Sequence, residues 1–137
     1  MKRLLTALLL LATTTLQAQT SALEIQEFRG MRFVAGGVGD EERADLESLA
    51  GAFRLRVTFA LAQGGFISDA RVRVRDAAGL TVLETVVDGP ILLLNPPPGA
   101  YTVWAEAYGQ AQEQGVTAPE SGQAKLNFLW RVASPAP

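Results

Sequence analysis

One stretch decides the fold: Asp88-Gly89-Pro90-Ile91-Leu92-Leu93-Leu94-Asn95-Pro96-Pro97-Pro98-Gly99-Ala100-Tyr101-Thr102-Val103. Asp88-Gly89-Pro90 predicts a turn, and the four apolar residues Ile91–Leu94 predict a short strand that is buried on both sides or covered by a helix. Proline cannot donate to a sheet ladder, so the run Pro96-Pro97-Pro98 must be a loop. A further strand starts near Tyr101.

Short alternating segments flank this stretch on both sides. In residues 54–62, Leu55, Val57 and Phe59 alternate with polar residues, and the same two-residue period recurs in Ala70–Asp76. Strands this short, separated by turns at this spacing, predict a mainly β chain folded as an antiparallel β-sandwich of about seven strands. The remaining strands are predicted at residues 80–87, 101–108, 113–117 and 123–131.

A single short helix is predicted ahead of the strands, at residues 40–50. Asp40 suits the N-cap, and Glu41 and Glu42 suit the positive end of the helix dipole. Gly51 is a natural C-terminal stop. Apolar residues recur at helical spacing, so we expect this amphipathic helix to pack against the sheet.

The region before the helix, residues 19–39, has no clean period. Its glycine stretch at residues 35–39 lacks a preceding strand and the Lys-Ser/Thr pair of a phosphate-binding loop, and acidic residues follow it. We therefore expect a loop or linker that packs over the sandwich.

The N-terminus has the three parts of a secretory signal peptide. Lys2 and Arg3 precede an apolar stretch shorter than the ~20 residues that a membrane span needs, and Ala18 ends a plausible cleavage site. We expect a periplasmic or secreted protein without stable membrane insertion. The predicted regions are a signal peptide at 1–18, an N-terminal extension with the Gly-rich loop and helix at 19–53, the β-sandwich at 54–131, and a disordered tail at 132–137.

Composition restricts the chemistry. Without Lys2 and Arg3, ten basic residues face 14 acidic ones, and this net charge of −4 argues against nucleic acid as a partner. The sequence has no His and no Cys, which removes the Ser-His-Asp triad, the Cys nucleophile and the usual zinc ligands. Asp69, Asp76 and Asp88 fall in or near turns, where Asp is favoured by its own backbone hydrogen bonds, without a dense calcium loop. We expect no metal, no cofactor and no catalysis.

The strand after the proline loop offers a first candidate surface. If Tyr101 and Val103 point into the core, the two-residue period points Trp104, Glu106 and Tyr108 outward. Exposed aromatic side chains of this kind anchor protein interfaces or stack against sugar rings. The alternative is that the helix or the N-terminal stretch covers them.

A row of arginines offers a second candidate surface. If the first two predicted strands pair, their arginines project from one sheet face and suit an acidic partner or lipid headgroups. The alternative is an ordinary solvated face, with Glu84 and Glu106 as counter-charges. The row consists of Arg54, Arg56, Arg71, Arg73 and Arg75.

Four segments carry a family resemblance: residues 69–74, 76–79, 85–89 and above all Leu94 with 98–105. With them, residues 66–130 resemble the carboxypeptidase regulatory-like domain, a transthyretin-like β-sandwich. The resemblance implies that Pro98 and Gly99 lead into a late strand and that Tyr101 packs into the core. It also implies a non-catalytic module that is attached to peptidases or receptors or stands alone. The chain departs from the pattern at residues 62–65, which lack the usual Gly-x-Val opening, and in the shortened turn at residues 88–90.

Three functions therefore follow from the sequence. The first is a non-catalytic exported module that binds an unidentified protein partner or assists an envelope complex. The second is a carbohydrate-binding module that uses the same exposed aromatic strand face. The third is a small hydrolase with a carboxylate pair, which the many acidic residues permit but no spacing favours.

Overall fold

The computed structural model describes residues 23–65, 67 and 69–131, so the predicted signal peptide and C-terminal tail lie outside the described residues. Within them the chain forms nine strands, one α-helix and a short 3-10 helix. In chain order these are β1 (Gln26–Phe28), β2 (Met31–Gly36), α1 (Asp40–Leu49), the 3-10 helix (Ala50–Ala52), β3 (Leu55–Leu61), β4 (Ala70–Asp76), β5 (Thr81–Val87), β6 (Ile91–Leu94), β7 (Gly99–Ala107), β8 (Gln110–Ala118) and β9 (Ala124–Trp130).

The strands form two sheets that face each other across a common core. One sheet has the order β1-β2-β6-β3-β9 and the other the order β5-β4-β7-β8. All neighbours are antiparallel except β3 and β9, which are parallel. The predicted mainly β sandwich with one short helix is confirmed. The described residues hold two more strands than the approximately seven predicted, and both come from the N-terminal region.

The prediction of a loop over residues 19–39 is wrong for residues 26–36, and residues 19–22 lie outside the described residues. β1 and β2 form a hairpin, and β2 pairs with β6 from Phe33 opposite Leu94 to Gly36 opposite Ile91. Phe33 packs in the core between the sheets, and Val34 packs under the helix on the opposite face. A strand that is covered on both faces has no polar alternation, so the two-residue period that reveals a strand was missing.

The four apolar residues of β6 are buried on both sides, as predicted. Leu92 and Leu94 belong to the core between the two sheets. Ile91 and Leu93 point the other way, into a smaller cluster that includes Leu46 of α1. The helix therefore covers the outer face of the five-stranded sheet and leaves the four-stranded sheet open.

The predicted ends of the helix differ from the observed ones. α1 begins at Asp40, and its N-cap is Gly39, which has a φ of 88° and no side-chain cap. The carboxylate of Glu42 instead accepts a hydrogen bond from the backbone N–H of Gly37, at 2.8 Å. Gly51 does not stop the helix, because the chain tightens into the 3-10 helix at Ala50–Ala52.

A glutamine ladder closes one edge of the sandwich. Three glutamines of β8 donate their side-chain Nε2 groups to backbone carbonyls of β9 and of the residue after it: Gln110 to Arg131 (3.2 Å), Gln112 to Leu129 (2.8 Å) and Gln114 to Asn127 (2.8 Å). The other edge of β9 pairs with β3. The ladder therefore satisfies carbonyls that would otherwise form an open strand edge, the usual template for aggregation.

Replacing Gln112 and Gln114 together by Ala tests the ladder. Each lost hydrogen bond should cost about 0.5–1.5 kcal/mol, and the uncovered β9 edge should increase concentration-dependent association. Urea denaturation and analytical ultracentrifugation measure the two effects. Gln26→Ala, at an exposed site on β1, is the control. A double variant with the same unfolding free energy and the same concentration-dependent association as the wild type would contradict the ladder's role.

Candidate binding surfaces

The outer face of the four-stranded sheet brings together most of the predicted contact residues. β4 and β7 are neighbours, so Arg71 lies opposite Glu106 and Arg73 lies opposite Trp104. The guanidinium carbon of Arg73 is 5.5 Å from the centroid of the Trp104 ring, a cation–π distance. Trp104 is partly exposed, and the helix that was considered as its cover packs on the other sheet.

Ion pairs connect this surface across three strands. Arg73 Nη2 lies 3.2 Å from Glu84 Oε1 of β5, and Arg71 Nη1 lies 4.0 Å from Glu106 Oε1. These are the two counter-charges that the sequence predicted. Such exposed pairs contribute at most about 1 kcal/mol each, so they order the surface more than they stabilise the fold. We call this surface the Trp104 face; it consists of Arg71, Arg73, Glu84, Val86, Trp104 and Glu106.

A shallow hollow of about 340 Å³ lies within the Trp104 face. Val86, which is 57% exposed, lies opposite Arg71 on β5 and adds an apolar side chain beside the charged ones. Tryptophan, arginine and an exposed aliphatic group therefore share one hollow, on a sheet face that none of the described helices and strands covers.

The predicted row of five arginines does not exist as one surface. β3 pairs with β6 and β9, whereas β4 pairs with β5 and β7, so consecutive strands lie in different sheets. Arg56 faces the helix, where its Nη2 lies 2.6 Å from Glu47 Oε1. This hydrogen bond, together with the charge of Arg56, lowers the pKa of the Glu47 carboxyl. The prediction of one arginine row is wrong because it required the first two predicted strands to pair.

Two other predicted contact residues lie at the margins of the Trp104 face. Arg75 is exposed near the end of β4, just after a register shift between Val74 and Arg75. Tyr108 was predicted to end the outward row of its strand, but β7 ends at Ala107. Tyr108 and Gly109 instead form a two-residue hairpin turn with φ values of 53° and 71°, which turns the Tyr108 side chain away from the strand period.

The residues to which the resemblance assigned structural roles lie where it implied. Gly99 begins β7 directly after Pro98, and Tyr101 is buried, with 8% of its surface exposed. The Tyr101 hydroxyl donates a hydrogen bond of 2.7 Å to the carbonyl of Pro97. Tyr101 thus holds the proline loop as well as filling the core.

A cleft of about 610 Å³ lies at one end of the sandwich and was not predicted. Four segments far apart in the sequence form its wall: the β1–β2 turn, the residue before β3, the start of β5 with the residue before it, and the β6–β7 loop. No local sequence pattern predicts a site that is assembled from segments so far apart. We call it the end cleft; it is lined by Arg29, Gly30, Met31, Arg54, Leu80, Thr81, Val82, Asn95, Pro97 and Pro98.

Two arginines of the end cleft are held by neutral groups. Arg54 donates from its backbone N and from Nη1 to Asn95 Oδ1, each at 3.2 Å, and Nη1 is 3.4 Å from the carbonyl of Pro96. Arg29 donates from Nη1 to the carbonyl of Thr81 at 3.3 Å. Among the ion pairs within the described part of the chain, neither arginine has a carboxylate partner.

Asp76, one of the three turn aspartates, stabilises its own turn. Asp76 Oδ1 accepts hydrogen bonds from the N–H groups of Ala78 and Leu80, both at 2.9 Å, which closes the β4–β5 turn. Over residues 23–65, 67 and 69–131, no three acidic side chains come together as a metal site. No described helix is both long and apolar enough to cross a bilayer.

No protein-family model matches the chain, and no curated protein matches it significantly. The resemblance to the carboxypeptidase regulatory-like domain therefore stays a prediction from the sequence.

Substitutions at Tyr101 test the link between the core and the proline loop. Tyr101→Ala should cost about 3–5 kcal/mol of unfolding free energy, and Tyr101→Phe about 1 kcal/mol. Burial, and then the Asp76 carboxylate, raise the pKa of the hydroxyl above its ordinary 10.0, although Arg54 opposes the shift.

The raised pKa gives this test a pH dependence. Because the folded state resists ionisation, the stabilising contribution of the hydroxyl is complete below the unfolded pKa, about 10. It is lost as the pH rises through the folded pKa. Urea denaturation of wild type and Tyr101→Phe between pH 8 and pH 11 should therefore converge above pH 10. Parallel pH profiles would contradict the burial of a neutral hydroxyl.

Proposed function

We propose that this chain is an exported, non-catalytic β-sandwich module of the carboxypeptidase regulatory-like type, and that its Trp104 face binds another protein of the cell envelope. The observation that carries the proposal is the cation–π contact of Arg73 with Trp104, on a sheet face that has its own ion pairs and that no described element covers. Tryptophan and arginine are the residue types that dominate the binding energy of protein interfaces. The signal-like N-terminus and the absence of His and Cys support the export and the non-catalytic role.

The cation–π contact favours a protein over a sugar as the ligand. A carbohydrate module needs an open aromatic face on which the sugar ring lies, and the Arg73 guanidinium stands over the Trp104 ring at 5.5 Å. Tyr108, the second aromatic of the predicted platform, lies in a turn beyond the strand. A flat pair of rings is therefore not formed on β7.

The charges of the Trp104 face indicate which charges a partner should carry. Arg71 with Glu106 and Arg73 with Glu84 alternate in sign across neighbouring strands. A partner that matches this pattern carries both signs in the complementary arrangement, around an apolar or aromatic group that enters the hollow beside Val86. Electrostatic matching of this kind selects the partner more than it adds affinity.

Affinity capture with matched variants tests the proposal. Tagged protein is expressed with its leader, cross-linked in cells and purified, and the captured proteins are identified by mass spectrometry. The three samples are wild type, Trp104→Ala and Leu129→Ala. Leu129 is the control because it is an exposed apolar residue on β9, in the other sheet. The candidate partner is then purified and titrated against all three.

We expect one partner whose affinity falls at least tenfold in Trp104→Ala and stays at the wild-type value in Leu129→Ala. Equal affinity for both variants would overturn the assignment of the Trp104 face. A change in tryptophan fluorescence with soluble glycans, lost in Trp104→Ala, would instead support the carbohydrate-binding alternative. Substrate turnover that disappears with one carboxylate would support the hydrolase alternative.

A further inference from the structure

We propose that the end cleft is a second binding site, which takes a small amphipathic carboxylate: one carboxylate group carried on an apolar body. The site is separate from the Trp104 face, since the two share no residue. Its volume of about 610 Å³ lies within the range of roughly 300–1,000 Å³ that is typical of small-molecule sites.

The charge of the end cleft selects an anion. Arg56, Arg71 and Arg73 each have a carboxylate partner in the structure. Arg29 and Arg54 line the cleft, and their side chains have neutral partners: backbone and amide oxygens, and for Arg29 also the Phe28 ring, whose centroid lies 5.3 Å from the guanidinium carbon. Neither guanidinium therefore forms an ion pair within the described residues, although the chain carries an excess of acidic residues. A guanidinium group offers parallel N–H donors that match a carboxylate.

The apolar wall of the cleft favours a ligand that carries an apolar group next to its carboxylate. Met31, Val82, Pro97 and Pro98 line it, and Leu80 stands at its edge with 61% of its surface exposed. A bare inorganic anion would leave this surface in water. An aliphatic or aromatic body would remove this apolar surface from water, which favours binding.

The walls of the cleft are held in place by contacts within the protein. The Tyr101 hydroxyl binds the carbonyl of Pro97, Asn95 binds Arg54, and Arg29 binds the carbonyl of Thr81. These contacts join the wall segments in two pairs: the residue before β3 with the β6–β7 loop, and the β1–β2 turn with the start of β5. A site that is organised in advance loses less free energy to ordering when its ligand binds.

Titrations with four probes test the chemistry of the ligand. Hexanoate has both charge and body, acetate has the charge alone, hexanamide has the body alone, and inorganic phosphate is an anion without a body. Binding is followed by ¹H–¹⁵N NMR on the mature protein. We expect hexanoate to shift the amide signals of residues 29–31, 80–82 and 95, and to bind at least tenfold more tightly than the other three probes.

Two variants locate the site. Arg54→Gln and Arg29→Gln should each weaken hexanoate binding at least tenfold, whereas Arg71→Gln, on the Trp104 face, should leave it unchanged. Arg29 is the safer test, because Arg54 also holds the β6–β7 loop through Asn95. Thermal melts establish that each variant is folded. Hexanoate binding that survives both substitutions, or shifts confined to other residues, would overturn the proposal.

Two further arms identify the source of the ligand and separate this proposal from the protein-binding one. Tighter binding of N-acetylphenylalanine than of hexanoate supports a peptide chain end, and the reverse order supports a free alkyl acid. Equal affinity for phosphate and hexanoate would overturn the amphipathic assignment. Trp104→Ala should bind hexanoate as the wild type does, so failure of either proposal leaves the other intact.

Discussion

The burial of β6 on both faces is the constraint on which the rest of the structure depends. Leu92 and Leu94 pack into the core between the sheets, and Ile91 and Leu93 pack against the helix cluster. Each such side chain contributes about 1.5–3 kcal/mol when it is removed from water, so these few residues join three layers. β6 also pairs with β2 on one side and with β3 on the other. The N-terminal hairpin is thereby part of the five-stranded sheet.

The same strand determines where the binding surfaces lie. Because β2 is held against β6, the turn with Arg29 reaches the end of the sandwich, where Arg54 and Asn95 flank β3 and β6. Because α1 covers the outer face of the five-stranded sheet, the four-stranded sheet is the one left open with Trp104 outward. One buried strand therefore accounts for the positions of both the end cleft and the Trp104 face.

The sequence was informative for strands with one polar face and for the wholly apolar β6, but it did not reveal β2. β4 and β7 alternate clearly, so the outward position of Trp104 and the inward position of Tyr101 could be predicted. β2 is covered on both faces and was predicted to be a loop. The local alternation of apolar and polar residues does not show which strands pair. The predicted arginine row was therefore wrong, because it combined strands of different sheets. The end cleft needs four distant segments, and no period along the chain indicates it.

Native-state hydrogen exchange tests most directly whether β6 joins the N-terminal hairpin to the sandwich as one cooperative unit. Amide exchange of β2 and β6 is measured by NMR in increasing denaturant and compared with the free energy of global unfolding. We expect the amides of Val34 in β2 and Leu93 in β6 to exchange only through global unfolding, with the same opening free energy. A local opening of Val34 with an opening free energy several kcal/mol below that of Leu93 would contradict this account. The hairpin would then unfold independently of the sandwich, and the end cleft would lack a fixed wall.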